Sequence, residues 1–105
     1  MELNEYQYEA QKTAVYGNQP TLDPLVYSVL ALCGETGELA NKLKKSLRAG
    51  TRPDYTALAD ETGDILWYVA AVCESLGWSM EDVARMNLKK LAERRAGGTV
   101  AAQTH

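Results

Sequence analysis

Residues Leu32 to Leu39 read LCGETGEL and residues Ala59 to Leu66 read ADETGDIL, so the chain writes E-T-G-acid-aliphatic twice. Both copies lie in apolar-periodic segments without the alternating β-branched pattern of strands, which predicts an all-α fold. Working outward from the first copy, Asp23 followed by Pro24 is an N-cap with proline at the first helical position. It opens a helix over 24–48 that Gly50 and Pro53 end. The second copy belongs to a helix over 55–76 that starts after Asp54 and stops at Gly77. Asn4 with Gln7 three residues later reads as a capping box for a first helix over 4–16, stopped by Gly17-Asn18. Ser79 with Asp82 opens a fourth helix over 80–95. Short connections predict an antiparallel four-helix bundle protomer. Residues 1–96 form one helical domain, and 97–105, GGTVAAQTH, read as a flexible tail with little apolar content to dock.

A chain of 105 residues is long enough for one thin core. With 46% hydrophobic and 24% charged residues it falls in the globular class, not the disordered one. A formal charge of −3 excludes the excess of Lys and Arg that neutralises a nucleic-acid backbone, so polynucleotide is not an expected partner. No apolar run approaches the ~18 residues of a membrane span, and MELNEYQYEA carries no basic, apolar leader pattern. A cytoplasmic setting is expected. Cys33 and Cys73 lie in apolar runs without CxxC spacing and read as buried free thiols. His105, the only histidine, is the last residue, which argues against histidine-based catalysis.

On a helical wheel of about 100° per residue, Leu25, Val29, Leu32, Leu39, Leu43 and Leu47 form one stripe centred about +80° from Glu35. Leu58, Ile65, Val69, Val72, Cys73 and Leu76 centre about +80° from Glu61, with Asp64 about −60° away. The pairs Glu35/Glu38 and Glu61/Asp64 therefore flank their apolar stripes in the same way. Packing through those stripes brings four carboxylates toward one volume, where they repel unless a cation neutralises them. A hard divalent ion, Mg²⁺ or Mn²⁺, prefers such oxygens. The plainer alternative is a solvated face on which Glu38 pairs with Lys42 at i, i+4. Gly37 and Gly63 face away from the acids, and mid-helix glycine is destabilising by about 0.8–1 kcal/mol. Close approach of the N-terminal helix or of a second subunit is the expected compensation.

On the fourth helix Asn87, Lys90 and Arg94 share a face with Val83 and Leu91, and two cations with an amide can bind phosphate oxygens. The same residues also suit a basic last turn that complements the helix dipole. Lys42 either meets a ligand or neutralises Glu38. Tyr68, one turn beyond Asp64, lies on the Glu61 side and can touch a ligand, whereas Trp67 is placed away from stripe and acids as an interface anchor.

These residues resemble the MazG-like all-α nucleoside triphosphate pyrophosphohydrolases, in particular the small phage and integron type. The resemblance rests on LNEYQ near the start, LALCGETGELANKLKK, DETGDILWYVAAV and NLKKLAERR, and spans Asn4 to about Arg94. Gly34 stands where many members carry another acid. The resemblance implies Mg²⁺-dependent cleavage of a (d)NTP between the α and β phosphates, giving (d)NMP and pyrophosphate. It implies Glu35, Glu38, Glu61 and Asp64 as metal ligands; on chemical grounds Glu38 or Glu61 is expected to orient the attacking water. Asn87, Lys90 and Arg94 would contact phosphate or sugar; Tyr68 and Lys42 are expected beside the substrate from their helix faces alone. A homodimer or homotetramer, with the base pocket partly built by a neighbour, is the implied assembly. Two alternatives stay open: phosphoribosyl-ATP pyrophosphohydrolase, and a helical dimerisation module that binds metal or nucleotide without hydrolysis.

Overall fold

A computed structural model describes residues 1–15 and 21–98. Among the described residues there are four helices and no strand: α1 (Leu3–Gln11), α2 (Pro24–Ala49), α3 (Tyr55–Leu76) and α4 (Met80–Ala96). The caps of the last three are those read from the sequence. Asp23 accepts from the Leu25 and Val26 amides, Asp54 from Ala57, and Ser79 from Asp82, each satisfying an orphan helix donor. Gly50 and Gly77 end α2 and α3 at φ 69° and 74°, a left-handed geometry that side chains with a Cβ adopt only under strain.

The first helix differs from expectation at both ends. Its N-cap is Glu2, with the Glu5 carboxylate accepting the Glu2 amide at 3.2 Å. Asn4 and Gln7 instead serve α4: Asn4 Oδ1 accepts from the Glu81 amide and Gln7 Oε1 from the Met80 amide. The Gln7 amide nitrogen donates to Glu74 Oε1 and the Trp78 carbonyl, so one buried side chain ties α1 to the α3–α4 turn. At the other end α1 stops at Gln11 and not near Tyr16. The Ala10 carbonyl is taken by the Thr13 amide and hydroxyl, and Gln11's carbonyl by Ala14, which tightens the chain out of α geometry. Tyr16 and the expected Gly17-Asn18 stop lie outside the described residues, as does the tail expected as flexible from residue 99 onward.

The core is small and sits among three helices. Ala70, Cys73 and Met80 are buried together, with Tyr6, Val69 and Val83 packed against them, from α1, α3 and α4. The most extensive interface joins α2 to α3, yet the one buried residue of α2 is Ser28. Of its apolar stripe, Leu25, Leu32 and Leu39 are half-buried, while Val29, Leu43 and Leu47 are exposed. Cys33 is exposed as well, contrary to the expected pair of buried thiols; Cys73 is buried, and burial pushes its thiol pKa up. A Cβ at Gly37 or Gly63 would meet nothing within 4 Å, so α1 does not provide the close approach expected there.

Candidate metal centre

The two E-T-G turns face each other across α2 and α3. In both copies the threonine hydroxyl bonds back to its own helix, Thr36 to the Cys33 carbonyl and Thr62 to the Leu58 carbonyl. That leaves the acids to carry the chemistry of the motif. Glu35, Glu61 and Asp64 each offer one carboxylate oxygen, and those three oxygens lie within 4.8 Å of one another. Glu61 is buried at 8% exposure, Glu35 is half-buried and Asp64 is exposed. Glu38 is exposed and stands outside this group, so the structure brings together three of the four expected ligands.

Like charges at this separation disfavour full ionisation. Burial raises the Glu35 pKa above the usual glutamate range, reinforced by a hydrogen bond to Glu61 and by the charges of Asp64, Glu61 and Glu38. Glu61 moves the other way, because the Lys42 ammonium hydrogen-bonds to it and outweighs its burial. Lys42 Nζ lies 2.8 Å from Glu61 Oε1. The cation thus crosses from α2 to α3 and does not form the i, i+4 pair with Glu38 that the spacing suggested. Glu61 Oε2 is buried without a hydrogen-bond donor. An orphaned buried carboxylate oxygen beside two further carboxylates is a set of hard oxygen donors, and it fits Mg²⁺ or Mn²⁺. Neither cysteine belongs to the cluster, so softer metals are not favoured.

A cavity of about 360 Å³ opens beside the acids, lined by Thr13, Glu35, Asp64, Trp67 and Tyr68. Tyr68 is thus where the sequence placed it. Trp67 is not: it lines the acid cavity instead of pointing away from it, with its ring edge-on to Tyr68 at 4.9 Å and its indole N–H on Thr13 and Ala10. Its i+3 relation to Asp64 was the available signal, since residues three apart share a helix face. Thr13 and Tyr6 gave none. The Tyr6 hydroxyl pKa is raised by burial and by the nearby Asp64 charge. Asn87, Lys90 and Arg94 are exposed on α4 and do not line this cavity.

Clustered carboxylates on facing helices, beside an aromatic-walled cavity, are an arrangement in which all-α proteins can hold metal ions. The family profile described as the MazG nucleotide pyrophosphohydrolase domain matches residues 27–97. The chain is also similar to the Gene 37 protein of Mycobacterium phage L5, 36% identical over 107 residues that cover 95% of this chain and 94% of that protein. No solved structure matches it. The chain belongs to the MazG nucleotide pyrophosphohydrolase family.

Proposed function

We propose that the protein is a Mg²⁺-dependent nucleoside triphosphate pyrophosphohydrolase, with Mn²⁺ as a substitute, that converts a (d)NTP to (d)NMP and pyrophosphate in the control or cleansing of the nucleotide pool. The observation that carries the reading is the convergence of Glu35, Glu61 and Asp64 oxygens within 4.8 Å, with a buried oxygen of Glu61 lacking a donor. These three residues would hold the ion, and bound there it would neutralise phosphate charge and supply Lewis acidity at the α-phosphorus. Glu38, exposed one turn from Glu35, would orient a water or take its proton; Glu61 is the other candidate base. Lys42 faces the acids and supplies positive charge to the phosphates. Tyr68 forms a wall of the cavity against sugar or base.

Asn87, Lys90 and Arg94 do not reach the cavity within one chain, and we assign them to the triphosphate of a neighbouring subunit's site. Exposed Val26, Val29 and Leu30 on α2, with Leu88 and Leu91 on α4, supply apolar surface that supports a homodimer or homotetramer. No described helix is long and apolar enough to cross a membrane, which suits a substrate met in solution.

The test is pyrophosphate release on mixing pure protein with Mg²⁺ and each common ribo- and deoxyribonucleoside triphosphate, with phosphoribosyl-ATP as a further substrate. Release from at least one triphosphate, abolished by EDTA and by Asp64→Ala, is expected. Tight nucleotide binding without release would instead point to a non-catalytic module.

A further inference from the structure

Thr13 and Trp67 stand together at the rim of the acid-lined cavity. The Trp67 indole N–H, a donor only, lies 2.9 Å from Thr13 Oγ1 and 3.2 Å from the Ala10 carbonyl. The Thr13 hydroxyl lies 2.6 Å from that same carbonyl, an acceptor only, so its single proton is committed to Ala10. What Thr13 Oγ1 has left is a lone pair. The hydroxyl is therefore fixed as a hydrogen-bond acceptor on a residue that lines the cavity beside Glu35, Asp64 and Tyr68.

That polarity sorts the two ends of a nucleotide. Phosphate oxygens are acceptors, so an acceptor-only hydroxyl repels them and suits an N–H or O–H donor instead. A nucleoside carries such donors on its base and its sugar. The same two residues also line a second cavity of about 530 Å³ with Met1, Glu5, Tyr6, Glu9 and Ala10, so they form the partition between the two spaces. The indole N–H joins this partition to the end of α1 through Thr13 and the Ala10 carbonyl.

Resting on the function proposed above, we propose that Thr13 determines specificity by accepting a hydrogen bond from an N–H or O–H donor of the bound nucleoside, with Trp67 as the positioning residue that fixes its hydroxyl. The triphosphate lies toward Glu35, Glu61 and Asp64, and the nucleoside toward Thr13 and Trp67. A site that accepts a hydrogen bond from the substrate discriminates against a ligand lacking that donor, because the bound ligand then leaves the protein acceptor unpaired.

The experiment compares Thr13→Val, Thr13→Ser and Trp67→Phe with the unmodified protein. It measures kcat and KM for pyrophosphate release from ribo- and deoxyribonucleotides, and the inhibition constant of inorganic tripolyphosphate, which has no nucleoside. Thr13→Val should lower kcat/KM for the best nucleotide about tenfold, mostly through KM, as expected for one lost hydrogen bond. Thr13→Ser should retain it, Trp67→Phe should lose part of it, and tripolyphosphate inhibition should not change. A loss confined to ribonucleotides assigns the donor to the 2′-hydroxyl. A loss shared by both sugars, and already present in the unmodified protein for a base analogue without the donor, assigns it to the base. The proposal is overturned if Thr13→Val leaves every nucleotide unaffected, or if it weakens tripolyphosphate and nucleotides alike. With the unmodified protein active, either result sinks this assignment alone; an unmodified protein that neither binds nor cleaves any nucleotide sinks the proposed function with it.

Discussion

Lys42 Nζ sits 2.8 Å from Glu61 Oε1, joining α2 to α3 at the edge of three converging carboxylates. The Lys42 pKa is raised, first by that hydrogen bond, so the ammonium stays charged. It is the cation paired with the buried acid of the cluster, Glu61. Lys42→Met should lower the melting temperature in EDTA by a few degrees and enlarge the rise on adding Mg²⁺, since the ion then replaces a lost neutralising charge. If Lys42 also serves the phosphates, the variant's nucleotide KM rises while its Mg²⁺ requirement falls. Thermal melts and Mg²⁺ titrations of turnover read both.

Proton and metal compete for Glu35. Its raised pKa means that the neutral acid favours the metal-free fold. That contribution is full below the unfolded glutamate value and is lost as pH rises through the higher folded value. Glu61, with its pKa lowered, contributes in the opposite sense: its stabilisation is present above the unfolded value and lost as pH falls through the folded one. Glu35→Gln should therefore abolish the loss of metal-free stability as pH rises through this window. Apparent Mg²⁺ affinity of the unmodified protein should fall as pH is lowered through the same range. A Mg²⁺ affinity independent of pH there would remove Glu35 from the ligand set.

Gln7 satisfies three groups at the α3–α4 turn and is only 7% exposed. Gln7→Ala leaves the Met80 amide buried without its acceptor, which should be destabilising by about 2–3 kcal/mol. Urea unfolding checks this through a lower midpoint at constant m-value. An effect below about 0.5 kcal/mol would mean that water replaces the side chain.

Val26 and Leu30 are 54% and 66% exposed on one face of α2, a spacing of one helical turn. Sedimentation should report a mass that is a multiple of 11.5 kDa, and the double charge substitution Val26→Glu/Leu30→Glu should shift it toward the single-chain value. A monomeric unmodified protein would return Asn87, Lys90 and Arg94 to the role of a basic helix end.

Local signals were legible where chemistry is local. Asp23-Pro24, Asp54 and Ser79 each announced a helix start, because a cap needs only its own next turn. The duplicated turns likewise brought Glu35, Glu61 and Asp64 to one volume, but Glu38, given the same stripe offset, stands outside it, because the wheel fixes a face and not the reach of a side chain across the helix pair. What the chain hid was long-range. Asn4 and Gln7 carry the residue types of a cap but spend them on α4, far along the sequence, and periodicity has no term for that. Lys42 had two acids within reach, and the wheel could rank only the one on its own helix. Trp67 was misplaced because its face was judged against the stripe and not against Asp64. The thinness of the core escaped the stripe reading altogether: an apolar stripe shows what a helix wants covered, not whether its own chain does the covering.

The bonds from Asn4 and Gln7 to α4 span 77 and 73 residues of chain. A loop that long closes against a substantial entropy, so these contacts form after the local turns of α2 and α3 are in place. The start of α4 is consequently among the last pieces to become protected from amide hydrogen exchange during refolding, and the first to open when α1 loosens.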